Sequence, residues 1–299
     1  MMAAAINKPV AGELRENEPM SRHTSWRVGG NADQFFVPAS IEDLSQFLHD
    51  LDPATPIFWH GAGTNLLVRD GGIRGVVIAA GKILRELEQV DHYLVRAGSG
   101  VPCTQLARQF IRWGLGPSEF FAGIPGSVGG ALTMNAGAHG HETWERVESV
   151  RTIDRRGEIH LRAPTEYSIA YRSVTGPRDE WFIEGLFRFD PDVTASKATL
   201  DEMLERRKST QPLGLPSCGS VFRNPDSDHA ARLIEAAGLK GHRIGGAEVS
   251  PKHANFIINA DGATAADIEA LIEHVRQTVI DVHGVELLHE VRIVGEVLR

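Results

Sequence analysis

Short apolar runs bounded by turn residues recur along the chain, and this pattern predicts buried strands. The runs lie at residues 56–60, 75–79, 92–98, 147–154, 157–162 and 181–189. Helical patterns are expected at 40–50, 101–114, 198–209, 228–238 and 264–284. Further short strands are expected at 244–249, 255–259 and 285–295. Strands and helices are therefore mixed along the sequence.

Two of the predicted helices carry recognisable start signals. Ser40 stands as an N-cap with Asp43 three residues later, and Thr264 with Asp267 forms a similar capping box. The helix after Thr264 places apolar residues on one face, at Ile268, Leu271, Ile272, Val275 and Val279. That face is expected to be buried.

The character of the sequence changes near residue 190, where the polar segment 190–197 begins. A chain of 299 residues is long for one ordinary core and suits two domains. We place a boundary at about 190–200. Residues 1–21, which mix alanines, charges and proline, are expected to form a loose N-terminal segment.

Composition excludes several classes of protein. The net charge is −8, which argues against a nucleic-acid binder that must coat phosphates. Apolar runs are shorter than a membrane helix requires, so we expect no membrane insertion. The cysteines, Cys103 and Cys218, are too few for a disulfide framework, which favours the cytoplasm. The histidines lack metal-ligand spacing, and no metal is predicted.

Two glycine-rich segments stand out, GAGTN at 61–65 and a longer one at 122–140 that contains six glycines. The first lacks the third glycine of a dinucleotide fingerprint, and extended chain follows it in place of a helix. Neither contains the lysine motif of a phosphate loop. Bare main chain still suits a nucleotide-type ligand, because amides can converge on a diphosphate. The alternative is a pair of tight turns. The second segment, poor in side chains, is not expected to form a good helix or strand.

Seven ordered sequence blocks resemble the UDP-N-acetylenolpyruvoylglucosamine reductase family of bacterial cell-wall synthesis. They lie at 23–38, 61–78, 123–140, 170–172, 218–225, 230–259 and 284–296. The resemblance implies an α+β chain with a vanillyl-alcohol-oxidase-like FAD-binding fold of two subdomains and a C-terminal α+β substrate domain. It assigns 22–190 to FAD binding (subdomains about 22–90 and 91–190) and 191–299 to substrate binding.

The resemblance also implies the reaction and its cofactors. FAD is expected to be bound non-covalently, NADPH to supply electrons, and UDP-N-acetylglucosamine enolpyruvate to be reduced to UDP-N-acetylmuramate. Tyrosines occur at Tyr93, Tyr167 and Tyr171, and the predicted substrate domain has none. The chain therefore resembles the short class of the family, which lacks a tyrosine lid loop.

The family's catalytic positions match Arg172, Ser220 and Glu290, as carboxylate-binding cation, proton donor and third catalytic group. Substrate-binding positions match Tyr171, Arg223 and Asn224. The expected cofactor-binding residues lie in the two glycine segments: Gly61, Gly63, Thr64, Asn65, Gly123, Ile124, Pro125, Gly126, Ser127, Gly129, Gly130, Asn135, Gly137 and Ala138. A departure from the family pattern is Val174, where a serine is common.

Each catalytic assignment has a purely structural alternative. Arg172 would then be a surface arginine, Ser220 a turn serine, and Glu290 the partner of Arg292 in a salt bridge. If Glu290 lies between apolar neighbours instead, its pKa is expected to be raised. Cys218, on the same strand face as Ser220, is a rival nucleophile or acid.

Two other functions stay open from the sequence. One is an FAD oxidase of the same fold with flavin attached through a histidine, for which His60 is the candidate. The other is a catalytically silent nucleotide-binding protein. The expected partners are small molecules, and the chain is expected to be a monomer or weak dimer.

Overall fold

The computed structural model describes residues 10–298 as a mixed α and β structure. The strands are, in chain order, β1 (Glu13–Pro19), β2 (Asn31–Val37), β3 (Ile57–Trp59), β4 (Leu66–Val68), β5 (Ile73–Ile78), β6 (Leu87–Asp91), β7 (Leu94–Gly98), β8 (Gly137–Ala138), β9 (His141–Glu142), β10 (Val147–Asp154), β11 (Ile159–Arg162), β12 (Ser168–Ala170), β13 (Ser173–Thr175), β14 (Glu180–Arg188), β15 (Arg243–Ile244), β16 (Ala247–Val249), β17 (Ile257–Asn259) and β18 (Arg292–Val294).

The α-helices are α1 (Ile41–Asp50), α2 (Cys103–Arg112), α3 (Val128–Met134), α4 (Lys197–Thr210), α5 (Ala230–Ala236) and α6 (Ala265–His283). Short 3-10 helices lie at Met20–Arg22, Ala80–Lys82, Glu119–Gly123, Thr143–Arg146 and Pro164–Glu166. Within residues 10–298, these helices are all too short or too polar to cross a bilayer.

The predicted helix starts are confirmed. The Ser40 hydroxyl accepts from the Asp43 amide at 3.2 Å, so α1 begins with the expected cap. The Thr264 hydroxyl accepts from the Asp267 amide, and the Asp267 carboxylate accepts from the Thr264 amide. All five apolar residues predicted on the buried face of α6 are buried.

The chain forms two compact units, each built from separate stretches of sequence. Unit 1 comprises the described residues up to Arg15, then Phe35–Ala62 and Gly75–Arg207. Unit 2 comprises Glu16–Gln34, Gly63–Arg74 and the described chain from Lys208 onward. This division differs from the predicted one, which assigned 22–190 and 191–299 as continuous stretches.

The physical reason lies in contacts between distant residues of unit 2. The Trp26 indole donates to the Ile257 carbonyl at 2.7 Å, although 231 positions separate the two residues. The Asn259 amide donates to the Trp26 carbonyl at 3.0 Å. Trp26 is fully buried in the core of unit 2. Such pairing depends on tertiary packing and leaves no local sign in the sequence.

Unit 1 contains a five-stranded antiparallel sheet with the strand order β11-β10-β14-β7-β6. Helix α2 packs its buried Leu106 and Phe110 into the same apolar cluster as Phe187 of β14. A second cluster surrounds α1 through Leu44 and Phe47. A further sheet has the order β1-β2-β5-β3, in which β3 and β5 run parallel.

Unit 2 contains a small antiparallel sheet, β15-β16-β17, covered by the apolar face of α6. Strand β18 pairs in parallel with β4, so that Arg292 lies opposite Leu66. This pairing ties the end of the chain to the segment that follows the first glycine segment.

Three predictions about local structure differ from the fold. Residues 13–21, expected to be loose, belong to β1 and to the 3-10 helix Met20–Arg22, while residues 1–9 lie outside the described chain. The second glycine segment contains the helix α3, because tertiary packing overrides its low helix propensity. The predicted strand at 285–295 is regular only over β18, with an isolated bridge between Phe222 and His289.

Candidate flavin site and active site

The first glycine segment follows β3, and its first two residues, Gly61 and Ala62, are exposed. The His60 amide donates to the Ile78 carbonyl at 2.9 Å, which continues the pairing of β3 with β5. Gly61 is exposed, and the nearest heavy atom to a side chain added there would be the Ser127 hydroxyl oxygen, at 4.0 Å. The structure therefore brings Gly61 beside the second glycine segment.

Backbone hydrogen bonds join the second glycine segment to residues 99–103, at the start of α2. The Gly126 carbonyl accepts from the Cys103 amide at 3.0 Å, and the Gly129 amide donates to the Ser99 carbonyl at 2.8 Å. A Cβ on Gly129 would lie 2.9 Å from the Cβ of Ser99. Gly129 is therefore needed for close packing, and its amide already has a partner within the protein.

Gly130, the next residue, has a different environment. It is exposed in the first turn of α3, and among residues 10–298 no atom outside the adjacent residues and the nearby backbone of α3 lies within 4 Å of a Cβ placed there. Alanine would suit a helix better than glycine at such a position. Open space therefore lies next to Gly61 and Gly130, and packing within the chain does not require glycine at either position. Both fit a ligand that lies against bare main chain.

Other predicted cofactor-binding glycines serve the fold itself. A Cβ on Gly123 would lie 2.6 Å from the Cβ of Ala138, and one on Gly137 would collide with the His141 carbonyl. Gly126 has a φ of 112°, which only glycine adopts without strain. Their role in holding a cofactor stays a prediction.

Asn135 is buried, with a φ of 43°, and ends α3. Its side-chain nitrogen donates to a Glu142 carboxylate oxygen at 2.6 Å and to the Ala170 carbonyl at 3.3 Å. Its side-chain oxygen accepts from the Trp144 amide at 3.1 Å. The Asn135 side chain, predicted to bind the cofactor, thus makes hydrogen bonds with protein groups instead. These bonds fix the position of the chain at the end of α3.

Arg172 lies in the two-residue turn between β12 and β13, with a φ of 54°. Its guanidinium donates to the Gly137 carbonyl at 2.9 Å and to the Asn135 carbonyl at 3.4 Å. It also lies 4.7 Å from the centre of the Tyr171 ring. The predicted active-site arginine is therefore anchored on the second glycine segment, within unit 1.

Ser220 and Glu290 lie on adjacent extended segments of unit 2. The Val221 carbonyl, directly after Ser220, accepts from the Glu290 amide at 2.8 Å. On its other side, the Val221 amide donates to the Asn255 carbonyl at 2.9 Å. Ser220 and Glu290 are both half-buried. The structure thus brings together two of the three predicted catalytic residues.

Asn65, from the first glycine segment, belongs to the same part of unit 2. Its side-chain nitrogen donates to the Glu290 carbonyl at 2.9 Å, and its own carbonyl accepts from the Arg292 amide at 3.2 Å. Asn65 therefore positions the backbone of the predicted catalytic carboxylate. A contact across 225 positions is not apparent from sequence.

Side chains of the closing segment alternate between buried and exposed positions. Leu287 and Val291 are buried, while Leu288 and Arg292, on the face of Glu290, are exposed.

Cys218 is buried in the core cluster of unit 2. Burial raises the pKa of its thiol well above the ordinary value, and the nearby Glu290 carboxylate raises it further. The thiol is protonated at neutral pH, which argues against the rival role of nucleophile.

The three predicted substrate-binding residues differ in their surroundings. Tyr171 is exposed. The Nε of Arg223 is buried and has no hydrogen-bond partner among residues 10–298, as expected of a group that meets a ligand. The side-chain oxygen of Asn224 accepts from the Ala230 amide at 3.1 Å, at the start of α5.

Two further residues lie near the second glycine segment, and the first of them, Glu142, was not predicted as a site residue. Glu142 has one carboxylate oxygen 3.7 Å from the Arg172 guanidinium. Arg207 of α4 donates to the Ala122 carbonyl at 3.2 Å, and burial lowers the pKa of its guanidinium. The sequence signal for Glu142 is slight: a carboxylate that follows the turn of a Gly-Ala-His-Gly hairpin.

Family models match both parts of the chain. Residues 32–161 match the FAD binding domain family. Residues 211–294 match the C-terminal domain of UDP-N-acetylenolpyruvoylglucosamine reductase. The two matches lie within the predicted FAD-binding and substrate-binding regions.

Individual relatives agree. The chain is 55% identical to the UDP-N-acetylenolpyruvoylglucosamine reductase of Alkalilimnicola ehrlichii, over 99% of each chain. It is 53% identical to the enzyme of the same name from Methylococcus capsulatus, over 98% of this chain and 97% of the relative. The crystal structure of the Thermus caldophilus reductase matches with a TM-score of 0.79 and 29% identity, over 95% of this chain and 99% of that one.

The FAD-binding domain and the reductase relatives show that this chain is a flavin-dependent oxidoreductase. The chain belongs to the UDP-N-acetylenolpyruvoylglucosamine reductase family. The expected α+β fold and the expected FAD are confirmed, and the relatives argue against both the oxidase and the silent binding protein.

Proposed function

We propose that this chain uses non-covalently bound FAD and NADPH to reduce UDP-N-acetylglucosamine enolpyruvate to UDP-N-acetylmuramate, a precursor of peptidoglycan. The observation that carries the proposal is the backbone pairing that sets Ser220 and Glu290 on neighbouring segments. High identity to reductases of this name supports the choice of substrate.

The glycine segments around Gly61, Ser127 and Gly130 are the parts of the chain that would hold FAD in unit 1. FAD bound there would supply the hydride, taken from NADPH, that one carbon of the substrate double bond accepts. The protein must then manage the negative charge and the proton that complete the reduction.

Arg172 would bind the substrate carboxylate. Hydride addition at one alkene carbon places negative charge on the other carbon and on the carboxylate conjugated with it. A guanidinium keeps its proton throughout and matches a carboxylate in two places. Because carbonyls of the second glycine segment hold Arg172, the cation is preorganised for this charge.

Ser220 would give the proton that the second alkene carbon requires, so that the double bond becomes a single bond. A serine hydroxyl is a weak acid, and it acts here because the carbanionic centre is strongly basic. Glu290, whose amide pairs with the carbonyl of the residue after Ser220, would orient the donor or stabilise the charge. The hydroxyl regains its proton from solvent after product release.

Tyr171, Arg223 and Asn224 would bind the UDP-sugar, and the Nε of Arg223, which has no hydrogen-bond partner in the described part of the chain, would donate to an anionic oxygen. We also propose that the reaction takes place in the cytoplasm, because NADPH and the UDP-sugar are soluble metabolites. The acidic net charge of −8 agrees with small-molecule partners and no nucleic acid. We propose a monomer or weak dimer.

The test is the variant Ser220→Ala, compared with Ser227→Ala at an exposed serine of the same loop. Ser220→Ala should lose about 10²- to 10⁴-fold in substrate-dependent NADPH oxidation and keep its flavin. Ser227→Ala should match the wild type. Full activity in Ser220→Ala would remove serine from the role of donor, and a wild type inert toward the enolpyruvyl sugar would refute the proposed function.

A further inference from the structure

Glu142 lies opposite Gly137 in the β8–β9 hairpin, beside the residues that hold Arg172. One carboxylate oxygen accepts from the Asn135 side chain at 2.6 Å. The other lies 3.7 Å from the Arg172 Nη1, which is an ion-pair distance too long for a hydrogen bond. The carboxylate is therefore fixed by Asn135 and stands as a preset negative charge beside the arginine.

The hairpin geometry explains how Glu142 reaches this place. Gly137 must be glycine because a side chain there would collide with the His141 carbonyl, and the hairpin could not close. The left-handed turn at His139 and Gly140, with φ of 54° and 86°, returns the chain so that Glu142 faces Gly137. The Glu145 carboxylate then accepts from the Glu142 amide at 3.0 Å.

Arg172 itself has a mixed set of partners. Carbonyl oxygens of Asn135 and Gly137 hold its two terminal nitrogens, and its side chain is 15% exposed. Carbonyls fix position but supply only partial negative charge. Glu142 supplies a full charge, 32% exposed, at the Nη1 side of the same guanidinium.

We infer that Glu142 is a positioning residue for the reduction, acting through Arg172; this inference rests on the proposed function. A long arginine side chain loses rotamer freedom when it is held for catalysis. A fixed carboxylate on one side keeps the guanidinium in the orientation that meets the substrate carboxylate. The effect belongs to the step in which negative charge develops on the substrate.

The first experiment isolates that step. The wild type and Glu142→Gln are reduced anaerobically with dithionite and mixed with UDP-N-acetylglucosamine enolpyruvate, while the return of oxidised flavin absorbance is followed. Glutamine keeps an acceptor for Asn135 and removes the charge. We expect flavin content to be retained and the limiting rate of reoxidation to fall about 10-fold, with a smaller change in the substrate concentration at half-maximal rate.

A matched control is Glu148→Gln. Glu148 is exposed on β10, where its carboxylate pairs with the Arg188 guanidinium at 2.8 Å. This variant should reoxidise at the wild-type rate. Glu142→Asp keeps the charge on a shorter side chain and should recover part of the lost rate.

A double-mutant cycle separates positioning from general damage to the site. In an Arg172→Ala background, Glu142→Gln should slow reoxidation no further, because the residue through which it acts is gone. An equal slowing in both backgrounds would overturn the inference, as would a wild-type rate in Glu142→Gln. Loss of flavin from Glu142→Gln and Glu142→Asp alike would also overturn it, in favour of a structural role. A wild type that is not reoxidised by the sugar would instead refute the proposed function.

Discussion

At the scale of single residues, chemistry is decided by what surrounds a side chain. Cys103 and Cys218 are both buried and free of disulfides. Burial raises the pKa of the Cys103 thiol to about 12. Burial also raises the pKa of Cys218, together with the charge of Glu290. Neither thiol forms the reactive thiolate near neutral pH.

A thiol titration of the native protein tests this at pH 8. With an aromatic disulfide reagent, we expect no fast reaction, because both sulfurs are protonated and inaccessible; both should react once the protein is unfolded in guanidinium. Cys218→Ala should keep the proton-transfer chemistry that Ser220→Ala loses. Rapid labelling of Cys218 in the folded protein, with loss of activity, would restore it as a catalytic candidate.

Asn135 shows the limit of residue-level inference. Its amide group can both donate and accept, and the sequence predicts a ligand for the cofactor. The structure gives both ends of that amide to protein partners. Donor and acceptor capacity is a property of the residue type, but the choice of partner depends on the packing of the Thr143–Arg146 turn and the β12–β13 hairpin around it.

At the scale of elements, we expect alanine at the two adjacent glycines of α3 to have opposite effects on the free energy of unfolding. Gly129→Ala should lower the free energy of unfolding of the flavin-free protein by about 1–3 kcal/mol, because its Cβ overpacks against Ser99. Gly130→Ala should leave that stability unchanged or raise it by about 0.5–1 kcal/mol. Its added methyl should instead weaken FAD binding.

Urea unfolding of the flavin-free variants and titration with FAD separate these effects. The informative comparison is between Gly129 and Gly130, which are neighbours in one helix but differ in the space available to an added side chain. If Gly130→Ala bound FAD as tightly as the wild type, Gly130 would lie outside the cofactor site.

The turn between β10 and β11 gives a pH prediction. Burial raises the pKa of Asp154, but hydrogen bonds from His160 and from the amides of Glu158 and Arg156 outweigh it, and the pKa is lowered. A lowered carboxyl pKa contributes stability that is present above the unfolded value, about 3.9, and is lost as pH falls through the folded value.

The free energy of unfolding should therefore decrease as pH falls from about 5 to about 3. Asp154→Ala should cost about 1–3 kcal/mol at pH 7, since two amides lose their acceptor, and its stability should depend less on pH. Asp201→Ala, at an exposed position of α4, is the control for denaturant unfolding at each pH. An unchanged pH dependence in Asp154→Ala would show that other carboxyls cause the loss.

At the scale of the whole molecule, the cofactor and the fold are linked. We expect the purified protein to be yellow and to release all of its flavin on denaturation, as non-covalent binding requires. Flavin that stays attached to the unfolded chain would indicate covalent attachment, with His60 as the first residue to map.

The same linkage predicts a thermal shift. FAD at 100 times its dissociation constant should stabilise the native protein by about 2.7 kcal/mol, since only the folded chain forms the site. Melting curves with and without added FAD measure this, and AMP at the same concentration is the control. No shift for protein shown to be flavin-free would contradict a preformed site.

Local features of this protein follow from short-range patterns in its sequence. Helix periodicity and caps set α1 and α6, and the ordered motif blocks indicated the family, because sterics, propensity and motif spacing act between near neighbours. The tertiary structure alone decided that the chain divides into two interleaved units, that Gly130 but not Gly129 faces open space, and that Glu142 lies beside Arg172. These outcomes depend on contacts between residues far apart in sequence, and such contacts exist only once the chain has folded.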